Sequence, residues 1–242
     1  MTETDLRNRL LAVAKKCYER DFIAGASGNI SARLTADQLL ITPSGANKAD
    51  LTPEDLLVID LQGVCINGDP ACRPTSELPM HLEIYARRPE VGAVVHAHPI
   101  TCVALSLVGI SMHTPYLPEA LVFLGPVPTT PYANPSSTEN SAAIRGLISD
   151  HDAIILAHHG SLTVGRTLEE AYSRLEILEH AARTIALAHQ LGQPRTLSEE
   201  AVSKLLRARA GLGLARPGED SLTMRVAAEV ERVTLDLAHT GW

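Results

Sequence analysis

Two histidines separated by one residue end a short apolar run near the middle of the chain. Residues 91–95 are Val-Gly-Ala-Val-Val, and His96, Ala97, His98 and Pro99 follow. An apolar run of this length predicts a buried strand, which Pro99 cannot continue. Because side chains alternate along a strand, His96 and His98 should face the same side and present two imidazoles to one metal ion.

A second histidine pair follows another apolar run. Residues 153–157 predict a buried strand, and His158, His159 and Gly160 form its exit. Adjacent residues of a strand face apart, so this pair should contribute one ligand. Ligands gather at strand ends in α/β sheets, and both exits are therefore expected to share one site. Three histidines leave an open coordination position, which is typical of a catalytic metal.

A carboxylate is the expected fourth group, and Glu77 is the candidate. It follows Thr75 and Ser76 and opens a predicted helix over residues 76–88, where apolar residues recur at helical spacing. Thr75 and Ser76 are residue types that cap helix N-termini.

Two loops of small residues suggest an anion pocket. Residues 25–29 (Gly-Ala-Ser-Gly-Asn) contain two glycines that allow positive φ and close backbone approach. Residues 43–45 (Pro-Ser-Gly) follow a short predicted strand and offer a hydroxyl and a free backbone amide. The two loops can line one pocket for an anionic group.

The remaining chain mixes amphipathic helices with apolar strands, and 242 residues suffice for one α/β domain spanning 1–242. Helices are predicted over 5–20, 101–107, about 138–149 and 168–191, with C-terminal helices at 198–211 and 221–238. The proline-rich stretch 111–135 predicts loops, short edge strands around 120–124 and a candidate subunit contact.

Charge and hydropathy exclude several function classes. The formal net charge is −7 with a sequence pI near 5.8, and no basic cluster interrupts it, so no nucleic-acid partner is expected. No apolar run approaches the roughly 18 to 20 residues of a membrane span, and the N-terminus lacks a signal peptide's basic flank. We expect a cytoplasmic protein without a membrane partner.

Six motifs together resemble the class II aldolase/adducin family, and within it the L-fuculose-phosphate aldolase type. They occur in the family's order, at its approximate spacings, within a motif-bearing core of about residues 25–190. The motifs are Gly28-Asn29, Thr42-Pro43-Ser44-Gly45, Thr75-Ser76-Glu77, His96-Ala97-His98, Pro131-Tyr132-Ala133 and His158-His159-Gly160.

The resemblance implies a fold, an assembly and a site. The fold is a mixed central β-sheet flanked by helices on both faces, usually in a homotetramer with active sites between subunits. The implied ligands of Zn²⁺, or of Mn²⁺, Co²⁺ or Fe²⁺, are His96, His98, His159 and Glu77. The residues implied to hold the substrate phosphate are Asn29, Ser44, Gly45, Thr75 and Ser76.

The implied reaction is reversible cleavage of a ketose 1-phosphate to dihydroxyacetone phosphate and an aldehyde. Cleavage beside a ketone leaves an enediolate whose negative oxygen needs a cation, and a metal with open positions supplies one. Glu77 would move the proton, with a pKa raised towards neutrality when substrate closes the site.

One of the departures from the family pattern concerns the second proton donor. The family's aldolases take a second proton donor, a tyrosine, from a neighbouring subunit, and the aligned residue here is Leu117. Tyr116 beside it and Glu119 nearby are the candidate acids.

Other functions remain open at this point. The same scaffold also supports a ribulose-phosphate 4-epimerase, a methylthioribulose-phosphate dehydratase and a decarboxylase of a keto acid phosphate. A non-catalytic interaction module like that of adducin is a further alternative, although that module lacks the metal ligands that are present here.

Overall fold

The computed structural model describes residues 2–67 and 73–216. The strands are β1 (Asn29–Arg33), β2 (Gln38–Ile41), β3 (Leu57–Asp60), β4 (Cys65–Asn67), β5 (Ala93–Ala97), β6 (Ala153–Leu156) and β7 (Gly160–Gly165). The α-helices are α1 (Glu3–Glu19), α2 (Leu78–Arg87), α3 (Ile100–Leu107), α4 (Pro118–Phe123), α5 (Thr138–Arg145), α6 (Leu168–Leu191) and α7 (Glu199–Gly211).

The strands form one sheet in the order β4-β3-β2-β1-β5-β7-β6. All six neighbouring pairs run antiparallel, and an isolated parallel bridge joins Thr129 to Ile155 at the β6 edge. β5 lies between β1 and β7, and its register sets His96 opposite Asn29 on one side and Leu162 on the other. The first histidine motif therefore lies inside the sheet rather than at its edge.

Helices cover both faces of the sheet because the strands alternate two sets of buried apolar side chains. On one face, α1 and α6 pack on Ile30, Ala93 and Val95. On the other face, α2 and α5 pack on a set that includes Val94 and Leu162. The predicted α/β fold, with helices on both faces of a central sheet, is confirmed.

A buried carboxylate links these layers at the start of β6. Asp152 is fully buried, and one oxygen lies 2.9 Å from Nη1 of Arg88, which follows α2. Its other oxygen lies 3.1 Å from Nη2 of Arg174 in α6. Burial alone would raise the Asp152 pKa, but the arginines, including Arg216, outweigh it and lower that pKa. The ion pairs fix the strand that leads to His159.

Most predicted helices agree with the structure, including α6 and the Ser198 cap of α7. The predicted edge strands around 120–124 are wrong, because α4 occupies this stretch. Pro118 opens α4, where its missing N–H costs nothing and its fixed φ suits a helix. Leu121 of α4 packs with Val202 and Leu206 of α7.

The predicted helix 221–238 lies outside the described residues. Within residues 2–67 and 73–216, none of the helices is both long and apolar enough to cross a membrane.

Candidate metal centre and adjoining pocket

The two histidine motifs and Glu77 meet at one point. His96, His98, His159 and Glu77 each offer one ligand atom, and these atoms all lie within 4.8 Å of one another. The three imidazole ring centroids are 4.8 to 4.9 Å apart. The structure thus brings together the four residues that the sequence nominated for a metal.

The backbone around both motifs fixes this approach. His98 lies just beyond β5, and its amide donates to the carbonyl of Phe22 at 2.8 Å. Between β6 and β7, His158 adopts φ +60°, which reverses the chain and directs His159 towards the cluster. A Cβ on Gly160 would lie 2.4 Å from the Ala97 carbonyl oxygen and 2.8 Å from the His98 ring. The turn therefore requires glycine at position 160.

The nitrogen atoms in the cluster are arranged to receive a cation. Nδ1 of His96 is 2.9 Å from the Ser161 carbonyl oxygen, an acceptor only, so this nitrogen carries the proton. Nε2 of His96 is the ring nitrogen left to bind an ion, and it lies 3.0 Å from Nε2 of His98 and 2.9 Å from Oε2 of Glu77. These potential ligand atoms converge on one point, so the residues fit a divalent metal ion, which would take the place of a proton between them.

His98 and His159 are held neutral, which is the form of histidine that binds metal. Burial, reinforced by His96, lowers the pKa of His98 to about 3. The same causes lower the pKa of His159 to about 4. At neutral pH both rings therefore offer a lone pair to an ion without first losing a proton.

Two side-chain amides hold Glu77. Nδ2 of Asn29 donates to Oε2 at 2.9 Å, and Nδ2 of Asn140 donates to Oε1 at 3.2 Å. Burial raises the Glu77 pKa, but the hydrogen bonds from His96 and Asn29 and the charge of His96 outweigh it, and the net shift is downward. Without substrate, Glu77 is therefore a carboxylate, the state required of a metal ligand and a proton acceptor.

The N-cap prediction for α2 is wrong in detail. Glu77 occupies the N-cap position, without a capping hydrogen bond from its side chain. That side chain points into the histidine cluster, and a proline in the first turn of α2 removes one of the N–H donors that a cap would satisfy. Thr75 Oγ1 accepts instead from the Glu77 amide at 3.3 Å.

A cavity of about 210 Å³ opens beside the cluster. Its lining includes Glu77, His98 and His159 together with all five residues expected to hold a phosphate: Asn29, Ser44, Gly45, Thr75 and Ser76. The expectation of a free amide in the 43–45 loop is wrong for Ser44, because this amide donates to the Arg73 carbonyl at 2.8 Å. That bond and a bridge between Pro43 and Pro74 join the loop to the segment that carries Thr75.

The pocket also contains a cation that the motif analysis missed. Lys48 is 2% exposed and lines the cavity. Its Nζ donates to the carbonyl oxygens of Ala26 at 2.9 Å and Ala46 at 2.6 Å, which ties the two small-residue loops together. Burial lowers the Lys48 pKa. A lysine three residues after Gly45 was the available sequence signal.

Two further residues of the site also escaped the sequence analysis. Ser136 lines the cavity, and its Oγ lies 2.8 Å from Oγ of Ser76. Asn140 lies in α5, far along the chain from the Glu77 that it contacts. Neither stands in a motif with a known ligand spacing, so only the folded chain associates them with the site.

Tyr116 and Glu119 lie away from this cluster. The Tyr116 ring packs edge-on against His189, with centroids 6.3 Å apart. Glu119 is exposed in the first turn of α4. Neither lines the cavity beside Glu77, so a single chain does not bring these candidate acids to the site.

Comparison with known proteins agrees with this geometry. The family model for the class II aldolase and adducin N-terminal domain matches residues 8–186. The chain belongs to this family. The matched range contains the sheet, both histidine motifs and the whole lining of the cavity.

Relatives in the family carry more than one name. The chain is 40% identical over 167 residues to L-fuculose phosphate aldolase of Methanococcus vannielii, covering 69% of this chain and 87% of that protein. It is 33% identical over 187 residues to 3-oxo-tetronate 4-phosphate decarboxylase of Escherichia coli, covering 76% and 87%. A solved structure of YgbL from Klebsiella pneumoniae, described as an aldolase, epimerase or decarboxylase candidate, matches with a TM-score of 0.77 at 34% identity, covering 85% and 99%.

Proposed function

We propose that the protein is a metal-dependent lyase that cleaves a ketose 1-phosphate to dihydroxyacetone phosphate and an aldehyde. The observation that carries the proposal is that three residues of the cluster, Glu77, His98 and His159, also line the polar cavity. A substrate phosphate held in the cavity would set the neighbouring carbonyl beside the cluster. The similarity to L-fuculose phosphate aldolase supports this substrate class.

In this proposal, polar side chains that line the cavity bind the substrate phosphate. Ser44, Thr75 and Ser76 would donate hydroxyl hydrogen bonds to the phosphate. Lys48 has three N–H donors, of which two are used by carbonyl oxygens, and the third would serve a phosphate oxygen. Holding the phosphate fixes the reacting carbon relative to Glu77, which converts a bimolecular encounter into a positioned one.

The cluster would perform the chemistry. A divalent ion bound by His96, His98 and His159 would supply positive charge beside the oxygen that becomes negative when the carbon–carbon bond breaks. Glu77, held by Asn29 and Asn140, would move a proton at the carbon next to the carbonyl. The ion could be Zn²⁺, Mn²⁺, Co²⁺ or Fe²⁺.

A decarboxylase is the second candidate, supported by the relative of that name in Escherichia coli. A 3-oxo acid with a phosphate on C4 loses its carboxylate to leave a carbanion next to a carbonyl. Protonation of this carbanion gives dihydroxyacetone phosphate. Both candidate reactions thus need the same phosphate pocket, the same charge stabilisation and the same proton transfer.

Hydrogen exchange of dihydroxyacetone phosphate in deuterated water, followed by proton NMR, tests what the two candidates share. We expect metal-loaded protein to exchange one hydroxymethyl proton stereospecifically, and protein stripped by a chelator to exchange none. Absence of exchange with metal bound would contradict both and favour the epimerase or dehydratase. Incubation with L-fuculose 1-phosphate or with 3-oxo-tetronate 4-phosphate then separates the candidates, because one releases an aldehyde and the other carbon dioxide.

The second acid of the aldolase reaction is also a proposal. Tyr116 and Glu119 lie outside the cavity of their own chain, so either one would act only from a neighbouring subunit. This requirement agrees with the proposed homotetramer with active sites at subunit interfaces.

Replacing Lys48 with methionine should raise KM for the phosphorylated substrate roughly tenfold or more, because a hydrogen bond to a charged group contributes about 1.5–3 kcal/mol. The apolar stem of the side chain is kept. We expect kcat to change less, since the proposed role of Lys48 is to bind the phosphate and not to act at the reacting carbon. Steady-state kinetics and inhibition by inorganic phosphate would measure both effects. Lys15→Met in α1 is the control, and an unchanged KM in Lys48→Met would refute the role.

A further inference from the structure

A buried row of polar side chains extends from Glu77 into the layer between the sheet and α2. Nδ2 of Asn29 donates to Glu77, and Oδ1 of Asn29 lies 2.6 Å from Nε2 of His81. Nδ1 of His81 lies 2.7 Å from Oγ of Ser31, which lies 2.9 Å from the Tyr85 hydroxyl. The row thus joins two residues of β1 to two of α2.

These contacts form only with one direction of hydrogen bonding. The Glu77 carboxylate accepts only, so Asn29 must turn its NH₂ towards it and its carbonyl oxygen towards His81. Nε2 of His81 must then carry a hydrogen and donate a hydrogen bond to Oδ1 of Asn29. Nδ1 of the neutral ring is therefore bare and accepts from Ser31, which in turn accepts from Tyr85.

The opposite orientation of Asn29 would face its carbonyl oxygen towards the carboxylate, which is repulsive. His81 and Ser31 are fully buried, and Asn29 and Tyr85 are 4% and 3% exposed. Water is therefore excluded from satisfying a misoriented amide, and unsatisfied buried polar groups are costly. Burial, with the charge of His96, lowers the pKa of His81 to about 3, so the ring has one N–H and one acceptor.

We propose that His81 is a positioning residue that holds the Asn29 amide in the orientation that donates to Glu77. His81 is neither one of the four candidate ligands nor part of the lining of the cavity. Its effect passes through Asn29 to Oε2 of Glu77, the oxygen that faces His96. As far as it concerns catalysis, this inference rests on the proposed function, in which Glu77 moves a proton.

The first test is the tautomer of His81 in the intact protein. In protein labelled with ¹⁵N-histidine, the imidazole signals of His81 are assigned by their loss in His81→Gln. We expect, near neutral pH, the tautomer protonated on Nε2, with Nδ1 unprotonated. A proton on Nδ1, alone or in an imidazolium, would overturn the inference. The tautomer itself is read from the wild-type chain, and the measurement needs no substrate.

The second test compares His81→Gln with His81→Leu. The glutamine amide can replace the Nε2–H donor, whereas leucine cannot. Outer-shell partners of metal sites typically contribute about 10- to 100-fold to activity or metal affinity, so His81→Leu should lose roughly that factor in kcat with a smaller change in KM. His81→Gln should recover most of it. Ile84→Val in α2 is the packing control and should stay near the wild-type rate.

Two outcomes would contradict the positioning role. Equal losses in His81→Gln and His81→Leu would show that the ring serves packing alone, and a rise in KM with unchanged kcat would assign it to substrate binding. Metal content is measured in both variants by elemental analysis. If the wild-type protein catalysed neither exchange nor cleavage, the proposed function would fail, while the tautomer result would still decide the His81–Asn29 contact.

Discussion

Glu77→Gln should lower kcat by about 10²- to 10⁴-fold, the range that general acid–base groups contribute. Glutamine keeps the length of the side chain but cannot take up a proton near neutral pH. Its amide also has one acceptor oxygen, whereas both Glu77 oxygens accept from amides, of Asn29 and Asn140. Whichever way the new amide turns, its NH₂ group therefore faces the NH₂ group of one of these asparagines. The variant loses both the proton acceptor and one of its anchors.

The measurement pairs kcat with metal content, because Glu77 is also a candidate ligand. We expect the three histidines to retain the metal in Glu77→Gln, so that turnover falls far more than occupancy. Glu83→Gln is the matched control: it lies on the same helix and pairs with Arg145 at the surface. Full activity in Glu77→Gln, or a loss that disappears when metal is restored to full occupancy, would refute the role in proton transfer.

The approach of the histidines in the candidate metal site could be predicted from the sequence because strand geometry is local. Strand alternation, continued one residue past the end of β5, sets His96 and His98 on one side, and their Nε2 atoms are 3.0 Å apart. The glycine after His159 permits the close chain approach that the cluster needs. Each of these inferences uses residues within a few positions of one another.

The residues that hold Glu77 in place could not be predicted in the same way. Nothing in the neighbouring sequence distinguishes His81 from the other buried residues of α2. Its partner Asn29 lies in β1, in a separate part of the chain. Asn140 reaches Glu77 from α5. Such contacts depend on the register of the sheet and on the packing of helices across it, which no short sequence pattern encodes.

Helix α4 shows why the secondary structure of a short apolar segment could not be predicted from its own residues. Residues 120–124 are apolar and follow a proline, which is compatible with an edge strand as well as with a first helical turn. The choice is made by tertiary packing, since Leu121 lies in a cluster with Val202 and Leu206. Short apolar segments of this kind are decided by partners that are distant in sequence.

The adjacent residues His158 and His159 offer a matched pair of substitutions. His159→Asn should weaken metal binding by more than the roughly 10- to 100-fold that the loss of an outer-shell partner costs, because His159 is proposed to bind the ion directly. Nδ1 of His159 is buried without a hydrogen-bond partner among the described residues. The change therefore removes the Nε2 lone pair without breaking another side-chain hydrogen bond.

His158→Asn should retain metal and activity. His158 is exposed, and its ring packs edge-on against Tyr132 at 6.0 Å, away from the cluster. Asparagine tolerates the positive φ of 60° that the turn requires, so the backbone that directs His159 is preserved. Metal titration of both variants, after chelator treatment and reloading, measures the difference. Equal affinity in the two variants would remove His159 from the ligand set, and a two-histidine site with Glu77 would then have to hold the ion.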